Sequence, residues 1–147
     1  MFLLNNIHDR DYRTIYSELD NVIFDMSDAQ LSNSRNGAWH DIAQGSIICV
    51  VRSSRKISTF FRVEALRRTE VTDDNGNYQN VIIGPVVAKL PSALDMTCLL
   101  NKCKVKHPHL PDNKMSIGFN VADLGDSLGE LEVITKEGSC NLSLLEP

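Results

Sequence analysis

A chain of 147 residues with 42% apolar and 23% charged residues can bury a sizeable core as one domain, residues 1–147, without help from metals or disulfides. Its net charge of −4 excludes a uniformly basic polyanion binder, and no stretch approaches the ~20 consecutive apolar residues of a membrane helix. Met1-Phe2-Leu3-Leu4 runs at once into Asn5-Asn6 with no basic flank, unlike a secretory leader, so the expectation is a cytoplasmic protein with no membrane partner.

Phe2-Leu3-Leu4 reads as a short first strand. Asp9 or Asp11 then caps a helix whose stripe is Tyr12, Ile15, Tyr16 and Leu19; Val22, Ile23 and Met26 continue that stripe, or Val22-Ile23-Phe24 is a strand after a break at Asp20-Asn21. Residues 27–38 are polar with little periodicity and predict a mobile loop. After the Gly45 turn, Ile47 to Val51 form an unbroken apolar run rich in β-branched residues, which suits a strand covered on both faces. The next run alternates: Ile57, Thr59, Phe61, Val63 and Ala65 share one face, and Ser58, Phe60, Arg62, Glu64 and Leu66 share the other. The short polar link 52–56 makes the two an antiparallel hairpin.

Thr72 to Asn77 is the strongest turn signal, because Asn75-Gly76 supplies the positive φ that a tight turn needs. A long strand follows from Tyr78 to Leu90, interrupted at Gly84-Pro85 by a bulge, a bend at a barrel corner or an edge. Pro91-Ser92 ends it, and a short helix with Leu94, Cys98 and Leu99 at helical spacing is expected from Ser92. Lys102, Lys104 and Lys106 alternate with Cys103 and Val105 as on a strand, and the remainder holds short apolar pieces, among them Val121 to Leu124. Several short strands with one or two peripheral helices predict an α+β fold, a small mixed β-barrel, in preference to a bundle or a parallel α/β sheet.

The charge is segregated. Residues 52–68 carry six basic side chains against Glu64, and residues 89–114 carry five lysines against two aspartates, while the flanking segments are acidic. Such a pattern makes a local positive field on an acidic protein, although a solvated surface has the same composition. Arg52, Arg55, Lys56, Arg62, Lys102, Lys104 and Lys106 are the candidate phosphate contacts. Trp39, Tyr12, Phe2 and Phe60 are the candidate aromatic walls for an unpaired base, which is gripped by stacking plus hydrogen bonds to its edge. For Trp39 the bland alternative is a core anchor, and for Phe60 peripheral packing.

Catalytic and metal chemistry find little support, so neither a cofactor nor enzymatic activity is expected. The sequence has no nucleophile elbow, zincin helix, phosphate loop, Rossmann glycines or deaminase signature. Cys98, Cys103, His107 and His109 are soft ligand types close together, but helical spacing turns the two thiols apart. All four cysteines, at 49, 98, 103 and 140, are expected as free thiols.

The order Trp39, Ile42, Gly45, the apolar strand, the Ser/Arg/Lys loop and a second strand ending in Arg62-Val63-Glu64 resembles the centre of EVE domains, within the PUA-like superfamily that also contains ASCH and YTH domains. The resemblance implies a small PUA-like barrel with helices outside it. It also implies a reader of a modified or flipped base in DNA or RNA, with Trp39 as one pocket wall and Ser53 and Ser54 lining the same pocket. In such systems the domain serves a nuclease or motor domain as its specificity module, of restriction type. Phe2 stands where EVE members commonly have a tryptophan, a departure from the pattern. The alternatives on the same fold are a protein-interaction module for an acidic partner, through the Phe60 and Arg62 face and the lysine strand, and an ASCH-like nucleoside-processing enzyme.

Overall fold

The computed structural model describes residues 1–5, 21–51, 56–72, 76–95 and 121–123. Most of these lie in eight strands: β1 (Phe2–Asn5), β2 (Val22–Ser27), β3 (Ile47–Val51), β4 (Lys56–Arg62), β5 (Ala65–Thr72), β6 (Tyr78–Ile83), β7 (Val86–Asp95) and β8 (Val121–Asp123). A single-turn helix α1 (Asp28–Leu31) and a 3₁₀ segment (Ser34–Asp41) join β2 to β3. The described residues therefore form a small, β-rich fold, with one sheet in the order β7-β4-β3-β1-β8 and another in the order β2-β6-β5. The helix expected near Tyr12 and the lysine strand from Lys102 to Lys106 lie outside the described residues. Among the described residues, no helix is long and apolar enough to cross a membrane.

The apolar run of β3 is central in its sheet, and all five of its residues are buried. It pairs antiparallel with β4, as the short link predicts, and parallel with β1, through Phe2 with Ile48, Leu3 with Cys49 and Leu4 with Val50. One face carries Phe2, Leu4, Ile48, Val50 and Val121 into the main core, where they meet Ile23, Phe24 and Met26 of β2 and Ile82 of β6. A register shift between Val22 and Phe24 lets Ile23 and Phe24, neighbours in sequence, both reach this core. The opposite face carries Leu3, Cys49 and Phe60 in one cross-strand row, each 0% exposed, so the sheet is covered on both sides. Cys49 is a buried thiol outside any disulfide, and its Sγ donates to the Phe2 carbonyl oxygen (3.4 Å).

The two sheets share their longest strands. β4 continues into β5 across Val63-Glu64, and β6 continues into β7 across Gly84-Pro85, so one long hairpin belongs to both sheets. At the junction, the amides of Arg62 and Glu64 donate to the carbonyls of Pro85 (3.1 Å) and Ile83 (2.8 Å). Val63, 1% exposed, donates to Ser46 (2.9 Å) and accepts from Gly45 (2.8 Å), which ties the turn before β3 to the same corner. Of the readings open for Gly84-Pro85, the bend between sheets is the one found. The backbones approach so closely there that a Cβ on Gly84 would run into the Arg62 carbonyl, and only glycine fits.

Two sequence expectations are corrected. Residues 27–38 are not an unstructured loop: the Gln30 amide donates to Ser27 Oγ (3.2 Å), and the Ser27 amide donates to Gln30 Oε1 (2.9 Å). This capping box starts α1 through contacts three residues apart, which leave no apolar periodicity to read. Pro91-Ser92 does not end the strand either, and no helix starts at Ser92, because β7 extends to Asp95. Its pairing with β4 slips between Lys89 and Leu94, so Pro91 falls in the irregularity, where its missing N–H costs no ladder hydrogen bond.

Candidate functional site

The 3₁₀ segment positions Trp39. At three residues per turn, side chains spaced by three stack on one side, and Asn36, Trp39 and Ile42 share that spacing. All three are buried, at 1%, 5% and 5% exposed. Asn36 fixes the segment to α1 by donating its Nδ2 to the Gln30 carbonyl (2.9 Å), and Ile42 donates its amide to the Trp39 carbonyl (3.1 Å). The indole then sits in the main core with Phe2, 7% exposed, while the adjacent His40 and Asp41 face solvent. In this structure Trp39 is a core anchor, the bland alternative.

Phe60 does not join it. The register Cys49 with Phe60 and Ile48 with Phe61 places Phe60 on the face of the sheet opposite the core that holds Trp39 and Phe2. The backbone layer separates them, so Phe60 and Trp39 cannot wall one pocket. Tyr12, Ser53 and Ser54, the other candidates for the pocket, lie outside the described residues. Among the candidate phosphate contacts, Lys56 is exposed and Arg62 half-buried, at opposite ends of β4 and about 20 Å apart at ~3.4 Å per residue. Arg52, Arg55, Lys102, Lys104 and Lys106 lie outside the described residues, as do Cys98, Cys103, His107 and His109.

The exposed chemistry sits on the β5-β6 hairpin. Leu66 pairs with Ile82 and Arg68 with Asn80, so Leu66, Arg68, Tyr78, Asn80 and Ile82 project to one face, that of the main core. Across this sheet the row Phe24, Ile82, Leu66 passes from 6% and 0% exposed to 40%, which means the core ends before the edge strand does. Beyond it stands Tyr78, 42% exposed, with the Arg68 guanidinium carbon 4.5 Å from its ring centroid. Arg68 also pairs with Asp28, and Asn80 donates its Nδ2 to Asp28 Oδ1 (2.8 Å) and to the Met26 carbonyl (3.2 Å). The Asn80 amide and the Arg68 guanidinium hold the Asp28 carboxyl below the ordinary aspartate range.

Sequence reading missed this group although its signal was present. Tyr78 opens the strand after the Asn-Gly signal, and two arginines, Arg67 and Arg68, stand on the strand before it. Counting outward from that turn pairs Tyr78 with Thr72, as found, but it also pairs Arg68 with Ile82. The register shift between Arg68 and Thr72 moves Arg68 opposite Asn80 instead, beside the tyrosine. No protein-family model, curated protein or solved structure matches the chain.

Proposed function

We propose that this chain is a nucleic-acid-binding module on a PUA-like fold, and that it binds through the positive surface displayed along β4 and β5. One observation carries the reading: the basic segment of an acidic chain runs along β4 and, past the bend at Val63-Glu64, into β5, and its Lys56, Arg67 and Arg68 are exposed. From Lys56 to Arg68 the backbone contour is about 40 Å at ~3.3 Å per residue, long enough to follow several nucleotides. Cations spaced along a track neutralise successive phosphates and release counterions, which supplies affinity without reading sequence. Support for the PUA-like fold comes from the unit formed by Trp39, Ile42, Gly45 and Val63, the residues that carry the resemblance, and from the strands that bend between sheets as barrel walls do.

The reading does not use a base pocket at Trp39, because the indole is 5% exposed and packed into the main core. The test is fluorescence anisotropy of short single-stranded DNA and RNA, with and without modified bases, across a salt series. Binding whose logarithm falls linearly with the logarithm of salt is expected. Absence of binding to every oligonucleotide at low salt would sink the proposal.

A further inference from the structure

We infer that Tyr78, with Arg68 lying over its ring, is a stacking site for an unpaired base of single-stranded nucleic acid. The inference rests on the nucleic-acid reading above and says where and how the contact is made. Tyr78 stays 42% exposed at the end of this apolar face, while Ile82, four residues along the same strand, is 0% exposed. The guanidinium over the ring offers a second planar group of positive charge, so one base can stack while the adjoining phosphate meets Arg68.

Asp28 and Asn80 make the arrangement more than a chance surface contact. Asp28 engages one guanidinium nitrogen, Nη2, and holds Arg68 across Tyr78 instead of leaving it to swing freely. A guanidinium has five N–H donors, so this contact leaves most of the fork for a phosphate. Asn80 commits its amide nitrogen to Asp28 and to the Met26 carbonyl, which fixes the carboxylate in turn. Leu66, on the same face and 40% exposed, extends the apolar floor beside Arg68. An acidic peptide would satisfy the arginine but would leave the flat tyrosine face unused. A nucleotide carries both a π-face for the exposed ring and an anion for the guanidinium, and for that reason it is the occupant chosen.

The site is tested by anisotropy titrations of a fluorescent twelve-nucleotide single strand against the full chain and its Tyr78→Ala, Tyr78→Phe and Arg68→Ala variants. Each is repeated over a salt series, and circular dichroism checks that each variant is folded. Tyr78→Ala is expected to weaken binding roughly tenfold with the salt slope unchanged, since a π-face but no charge is lost. Tyr78→Phe should bind as the parent does. Arg68→Ala should weaken binding and reduce the salt slope by about one phosphate contact. If the parent chain binds and both alanine variants bind equally well, the site is wrong while the nucleic-acid reading stands. If the parent binds no oligonucleotide, both fail. If it instead binds a polyglutamate peptide with the same loss in Arg68→Ala, the surface belongs to an acidic protein partner and the inference is overturned.

Discussion

Trp39 and Tyr78 are both aromatic residues in the β-rich fold, and their surroundings give them opposite roles. Trp39 lies on a 3₁₀ segment whose three-residue repeat turns it, with Asn36 and Ile42, into the core. Tyr78 lies on a strand that continues past the point where the core ends, and a register shift brings an arginine over its ring. Trp39 is the only tryptophan of the chain, yet rarity does not place a side chain. Periodicity and register do, and they bury the conspicuous aromatic while displaying the ordinary one.

Substitution should separate the two regions clearly, and the largest effect falls on stability. Trp39→Ala should destabilise the fold by about 3–5 kcal/mol in chemical denaturation, as loss of a buried large aromatic does. Tyr78→Ala should cost about 1 kcal/mol or less, since only the exposed cation-π contact is lost. A larger loss at Tyr78 than at Trp39 would invert the comparison. The corner that joins the sheets comes next: Gly84→Ala should cost about 2–3 kcal/mol, because the added Cβ meets the Arg62 carbonyl in a backbone that has little room to give. A Gly84→Ala variant as stable as the parent would mean that the strands bend elsewhere.

Smaller effects sharpen the comparison at the join between the two regions. Ser27→Ala removes the cap of α1, which precedes the 3₁₀ segment and also carries Asp28, and should cost about 1 kcal/mol by thermal denaturation. The Asp28 carboxyl is held below the ordinary aspartate range by Asn80 and Arg68, so its contribution is fully present above that range. It is lost as the pH falls through the lowered value in the folded chain. Melting temperatures of the parent and Asp28→Asn should therefore differ at neutral pH and converge only in acid below the lowered Asp28 value, where the carboxyl is protonated and both side chains are uncharged. A gap that persists in strong acid would show that the ion pair is not its source.

Where local pattern dominates, the fold was legible in the sequence. The apolar run of β3, its pairing with β4, the chain reversal between β5 and β6 with a positive φ at Gly76, and the break at Gly84-Pro85 each follow from a few adjacent residues, and each is found. The capping box of α1 was legible too, as Ser27 and Gln30 three residues apart, but a search for apolar periodicity passes over it. What could not be read was set by long-range pairing. The parallel match of β1 with β3 and the slip that absorbs Pro91 depend on which strands meet, and so does the shift that puts Arg68 opposite Asn80. The base pocket proposed around Trp39 and Phe60 fails as a pair for the same reason, since only the cross-strand register shows that a sheet lies between them.

The lone tryptophan offers the most direct test of which region meets the ligand. Its emission should be blue-shifted and resist quenching by acrylamide, and it should stay unchanged while an unlabelled single strand is titrated to saturation. A base stacking on Tyr78 leaves Trp39 in the core. Emission that is quenched or shifted in proportion to bound oligonucleotide would instead place the indole at the contact and contradict the account given for both regions.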